Sequence, residues 1–267
     1  MTSRRNPIVW LAAAFVIGAV AGGTVGIFGF IAVVGGQRDP SGAITAPTLA
    51  IEPTATGAEP TLPPAEPTAT AEESAAPPTP DAAGGALTGQ AIFRIVPGES
   101  AARYVVSEQD PLATVVGITD QVAGDVRVDF DRINNSEIGT IRINVRTLTT
   151  DEVQRDDSVR FILESFQPEH EFAEFVPSSV FGLRVTPATI GMSYRIQVAG
   201  DFTVHGTTRR VTFFGPVTLV SADEIRGFLA TTISLTDYGL FAEGLVMHIV
   251  SDEMMLEIDF VARRVAE

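Results

Sequence analysis

Alternation of apolar and polar residues is what most constrains this chain. Along Gly200–Phe214 (GDFTVHGTTRRVTFF), Phe202 and Val204 alternate with Asp201 and Thr203; beyond Gly206, Val211 and Phe213 alternate with Arg210 and Thr212. A period of two on both sides of a glycine predicts two antiparallel strands joined by a tight turn. Gly206 supplies the positive φ such a turn needs. The same alternation recurs in Val126–Phe130 and Ile141–Arg146, and β-rich runs occupy 103–107, 114–119, 172–181, 194–198, 225–234 and 254–262. Pro177 marks an edge or a bulge within its run. Short strands at this spacing predict an all-β antiparallel barrel or sandwich of about eight strands, filling residues 91–267.

One segment departs from this pattern. In Glu152–Phe166, Val153, Val159, Ile162, Leu163 and Phe166 recur near a period of 3.6, which predicts a single amphipathic helix. Thr150 and Asp151 are its expected caps, and Pro168 its stop. A lone helix in an all-β domain closes one end, where the core would otherwise meet water.

The N-terminal third is of another kind. Residues 1–7 carry Arg4 and Arg5, and residues 8–34 contain no charge. At about 1.5 Å per residue such a run crosses a bilayer core of roughly 30 Å. Arginines before it place residues 1–7 in the cytoplasm and the rest outside the cell membrane, as a single-pass signal-anchor. The competing reading is a cleaved signal peptide ending at Ala19–Ala21, but the apolar run continues to Val34. Gly18, Gly22 and Gly26 share one helix face and could bring two helices together as a dimer, although glycine is common in such helices anyway. Residues 35–90 are rich in Pro, Thr and Ala and read as a disordered linker, able to hold the domain on the order of 40 Å from the membrane.

Charge and composition exclude several functions. The net charge of −15 disfavours a nucleic-acid partner, and without cysteine there is neither a disulfide nor a thiolate metal site. His170, His205 and His248 show no metal-ligand spacing, so no metal or cofactor is expected. Asp151, Glu152, Asp156 and Asp157 suit the start of a helix better than catalysis. No serine lies in a nucleophile elbow, and no Gly-rich phosphate loop follows a strand. No motif here marks an enzyme.

The hairpin GDFTVHGTTR over 200–209 resembles the G-x-L-T-I/V-H-G-x-T-R/K hairpin of the YceI-like family. Arg155–Arg160 with Phe166 and Pro168 is similar to that family's helix region, and Asp237–Gly239 to its D-F-G-like turn. The family's arginine before that turn is replaced by Leu235 and Thr236. The resemblance implies an extended, lipocalin-like β-barrel whose interior holds a long isoprenoid lipid or quinone. Burying about 15 ligand carbons at roughly 0.8 kcal/mol each would supply ample gross affinity without polar contacts. Candidate lining residues are Phe161, Phe166, Tyr194, Ile196, Val198, Phe202, Val204, Ile258 and Phe260, each of which a packed core also needs. Arg155, Arg160 and His205 are candidate head-group contacts, against structural roles as ion-pair and turn residues. The alternative is an interaction module with a solid barrel on a stalk; a hydrolase or isomerase built on the acidic helix start is a third reading.

Overall fold

The computed structural model describes residues 39–50, 87–109, 112–240 and 250–266. Twelve strands form one curled antiparallel sheet: β1 (Gln90–Ile95), β2 (Ala101–Gln109), β3 (Leu112–Thr119), β4 (Val122–Ala123), β5 (Asp125–Asp129), β6 (Glu137–Ile138), β7 (Ile141–Asn144), β8 (Phe172–Phe181), β9 (Ser193–Val204), β10 (Thr207–Leu219), β11 (Glu224–Ser234) and β12 (Val250–Arg264). The expected figure of about eight is exceeded because β1 and the two-residue strands β4 and β6 lie outside the runs of alternation. The path runs β4-β7-β8-β9-β10-β11-β12-β1-β5-β6, with β2 and β3 branching from β12. Strand β12 is long enough to pair with β2 along Val250–Asp259 and with β1 along Ala262–Arg264. β4 and β5 lie near opposite ends of the path, yet only Gly124 separates them in sequence, so the sheet curls far round.

The central hairpin forms as its alternation requires. Thr207 pairs with Val204, leaving a two-residue turn in which His205 and Gly206 have φ of 49° and 69°. Positive φ at both central residues is the type I′ geometry that matches strand twist. β8 bulges between Pro177 and Ser179, past the end of its pairing with β7 at Phe175, which is where a proline can be accommodated. Inward residues build one continuous core in which Phe213 packs edge-on against Phe175 and Phe202, with centroids 4.8 and 6.4 Å apart.

The helix α1 spans Val153–Ile162, shorter than expected at both ends. Its N-cap is Glu152, without a side-chain cap bond, in place of Thr150 or Asp151. Asp156 instead reaches back from the first turn to accept from the Thr150 amide and hydroxyl, both at 2.6 Å. The helix stops before Pro168 is reached. Ser165 N donates to Arg160 O and Glu164 N to Phe161 O, with Glu164 left-handed at φ 47°. That is a Schellman cap, with glutamate at the position glycine usually fills.

The expectation of a structureless linker does not hold for residues 39–50, which lie along the outside of the sheet as a strap. Ser41 N donates to Glu171 Oε1 (2.8 Å), Arg142 to Thr45 O (3.1 Å), Leu49 N to Asp125 Oδ2 (3.3 Å) and Arg127 to Ala50 O (3.1 Å). Ile44 is 7% exposed. The composition of the strap suggests disorder, but four polar tethers and one buried isoleucine offset the ordering cost. The apolar run 8–34 lies outside the described residues, among which no helix is long and apolar enough to cross a membrane.

The strap ends on a buried ion pair. Arg146 Nη1 lies 3.0 Å from Glu171 Oε2, with side chains 2% and 1% exposed. Asn144 Nδ2 also donates to Glu171 (2.9 Å), and Arg146 Nε donates to Ser165 O (2.6 Å). Burial by itself would raise the Glu171 pKa, but the hydrogen bonds from Ser41 and Asn144 and the charge of Arg146 outweigh it, and the net shift is below the ordinary 4.5. A lowered pKa in the folded state means that the open or unfolded chain takes up more protons. The stabilisation is therefore complete above about pH 4.5 and is lost as the pH falls through the folded-state value. Hydrogen exchange should show residues 39–50 protected at pH 7 and losing that protection as the pH falls through the Glu171 titration, before the sheet opens. Replacing Ile44→Ala should cost about 2 kcal/mol of strap docking and raise proteolysis within 39–50 at neutral pH, while the sheet's own melting changes little.

Candidate functional site

Between α1 and the inner face of the sheet lies a cavity of about 430 Å3. This is within the roughly 300–1,000 Å3 of small-molecule sites. It exists because small residues, Ala102 on β2 and Ala173 on β8, sit where larger ones would fill the space, while Val159 and Ile162 of α1 and its C-cap Leu163 cover it. Phe202, Phe213 and Ile258 form much of the remaining wall. A second cavity of about 50 Å3 is bounded by Tyr194, Ile196 and Phe260 among others.

These two cavities divide the candidate lining residues. Phe202, Val204 and Ile258 line the larger one, and Tyr194, Ile196 and Phe260 the smaller. Val198 is fully buried and borders neither, and Phe161 and Phe166 are half-buried and border neither. Several wall residues were not among the candidates, notably Ala102, Val115 and Ala173. Small and β-branched residues in strands give no sign in sequence of whether the space beside them is filled.

The polar residues of the large cavity are two arginines, Arg103 and Arg155, against three glutamates, Glu108, Glu152 and Glu257, with Gln154 and Ser158 beside them. Arg155 has its charge offset threefold: Nε is 3.5 Å from Glu108, Nη2 is 3.4 Å from Glu152, and Nη1 donates to Asp151. Arg103 stands 4.0 Å from Glu257. Arg160, the other candidate clamp, is wholly buried away from the cavity lining; Nη1 donates to Leu148 O and Nη2 to Asp157, tying the helix to the chain before it. Tyr104 also faces the cavity, and burial, reinforced by the nearby Asp156 carboxylate, pushes its pKa well above the ordinary 10.0. Its hydroxyl stays neutral at physiological pH. Tyr238, in the expected turn at 237–239, packs edge-on against Phe202 with centroids 5.9 Å apart. Burial pushes its phenol up to about 12, and the hydroxyl has no hydrogen-bond partner.

His205 is not among the cavity-lining residues. It faces His170 and Glu164, with ring centroids of the two histidines 4.7 Å apart and both rings near the same Glu164 oxygen. The three residues come from the hairpin turn, the segment leading into β8 and the end of α1, so no motif spacing in sequence could have joined them. His248 lies outside the described residues.

With this geometry in hand, comparison with known proteins is informative. No curated protein matches the chain. The polyisoprenoid-binding domain from Saccharophagus degradans implicated in plant cell wall breakdown superposes with a TM-score of 0.52 at 14% identity, over 65% of this chain and 98% of its own. Burkholderia cenocepacia BcnA gives 0.47 at 18% identity, over 60% and 95%, and the Campylobacter jejuni YceI protein 0.40 at 13%, over 54% and 82%. A family profile described as the YceI-like domain matches residues 93–262. That stretch is more than half of the sequence and contains every strand from β2 to β11, and the chain belongs to the YceI-like family.

Proposed function

We propose that this protein binds a long, uncharged apolar molecule, an isoprenoid lipid or a quinone, in the cavity between α1 and the sheet. The observation that carries this reading is the cavity itself: an interior lined by aliphatic and aromatic side chains and left unfilled by Ala102 and Ala173. Transfer of an alkyl chain into such a space gains about 0.8 kcal/mol per buried methylene. A solid interaction module has no use for that space, which favours the binding reading over it. Membership of the YceI-like family and the fold shared with a polyisoprenoid-binding domain support the same class of ligand.

The polar groups narrow the ligand further. Among the described residues, two arginines against three glutamates leave the lining without spare positive charge, and Asp151 offsets Arg155 again. A phosphate head would meet net repulsion there, while a hydroxyl or quinone oxygen could bond with Tyr104, Ser158 or Gln154. In competition assays farnesol should therefore bind at least about tenfold more tightly than farnesyl phosphate at low salt. Ala173→Leu should weaken farnesol at least about tenfold while holding or raising the melting temperature, because it fills a hollow. Unchanged farnesol binding in that variant would place the ligand elsewhere.

Residues 8–34 serve in this reading as a membrane anchor with the domain outside the cell membrane. Only residues 35–38 separate Val34 from the docked strap, a reach of at most about 18 Å. The stalk of about 40 Å inferred from composition is then replaced by these four residues, and residues 51–86 link Ala50 to Leu87. The cavity is held near the bilayer, where an apolar ligand can enter without crossing water. Inserting about twenty Gly/Ser residues after Gly36, which adds roughly 25 Å of reach, should slow loading from farnesol-bearing vesicles. Halving residues 51–86 should leave that loading unchanged.

A further inference from the structure

Glu164 and His205 are the non-glycine residues with positive φ among the described residues, at 47° and 49°. Each occupies a position where the backbone asks for something else. Glu164 is at the left-handed residue of the Schellman cap of α1, where glycine is usual. His205 is the first central residue of a type I′ turn, where asparagine, aspartate or glycine is usual. A left-handed L-residue costs roughly 1–2 kcal/mol, so the fold carries this cost twice. Strain of this kind persists where the side chain has a task.

The two side chains converge, and His170 joins them. Glu164 Oε2 is 3.3 Å from His170 Nδ1 and 3.4 Å from His205 Nε2, and the three ligand atoms lie within 4.8 Å of one another. Both imidazole nitrogens are buried and neither has a hydrogen-bond partner, although a carboxylate oxygen is so near. The two glutamate–histidine distances instead fit a shared ion. For metal–ligand bonds of about 2.0–2.1 Å, the edge of a tetrahedron is about 3.3–3.4 Å. Gln167 Nε2 donates to the same Glu164 oxygen at 3.0 Å, orienting the carboxylate from behind as outer partners of metal ligands do.

We propose that Glu164, His170 and His205 form a site for one divalent transition cation of the zinc class, with a fourth position open to water or to a ligand oxygen. Two nitrogen donors and one carboxylate suit zinc-like ions and are wrong for calcium or magnesium, which take oxygen ligands. The site adjoins the cavity, because Leu163 and Val204, the chain neighbours of Glu164 and His205, both line it. An ion here clamps the end of α1 to the central hairpin, two of the parts that enclose the cavity.

The test uses full-length protein stripped with a chelator and titrated with Zn2+ or Co2+ alone. One ion should bind per chain, the melting temperature should rise, and Co2+ should give the strong visible absorption of a four-coordinate site. Glu164→Gly and His205→Asn put the conformationally favoured residue at each left-handed position. Both variants should match or exceed the melting temperature of the metal-free parent while losing at least about 100-fold in metal affinity, beyond the effect of removing an outer-shell partner. Absence of any metal-dependent shift in the parent would overturn the proposal. So would binding that both variants retain, which would mark general attraction of cations to an acidic surface.

Discussion

The buried ion pair of Arg146 and Glu171 joins three stretches of chain that are distant in sequence. Glu171 receives the strap through Ser41 and the end of β7 through Asn144, while Arg146 donates to the carbonyl of Ser165 just after α1. A buried charge is tolerable only when its partner and its remaining hydrogen-bonding capacity are satisfied, and loss of one member of such a pair typically costs about 3–5 kcal/mol. Here that requirement works as a positional constraint. The segment after α1 must pass where Arg146 can reach its carbonyls, which sets where the helix ends over the sheet and where Glu164 is presented. The cavity roof, the strap and the Glu164–His170–His205 cluster all hang from this one pair.

Seen from that anchor, the cavity results from a helix held at a distance. Asp156 is fastened to Thr150 and Arg160 to Leu148, so α1 is fixed at its start and near its end by polar bonds, and need not sink onto the sheet to be stable. The space left beneath it is apolar because the inward strand residues are apolar. In a solid core these same residues would close on one another; here Ala102 and Ala173 face the gap instead. Hollowness and rigidity have the same origin.

Much of this was legible in the sequence. Alternation about Gly206 fixes the hairpin register, because a slip of one residue would turn Phe202, Val204 and Phe213 to water. β1 escaped notice because Ile92 and Phe93 are both buried along with Ile95, which breaks the alternation. The strap escaped because its Pro, Thr and Ala composition resembles that of residues 51–86, and its docking depends on Glu171 and Asp125, more than seventy residues away. Arg155 and Arg160 look equivalent in sequence, yet one borders the cavity and the other is a wholly buried strut, since five residues along a helix point to different sides. The His170–His205 meeting depends on a hairpin turn and a helix end arriving at the same place, which no spacing rule registers.

An apolar cavity roofed by α1, proposed to hold the ligand, links these features into one account. The most direct test of its central claim is native mass spectrometry of the full-length protein extracted from bacterial membranes in mild detergent, followed by lipid extraction of the same sample. The account predicts one additional mass per chain, identified on extraction as an uncharged isoprenoid or quinone and reduced in the Ala173→Leu variant. A protein that carries no such mass, and that also fails to take up farnesol or a quinone when offered it, would contradict the account.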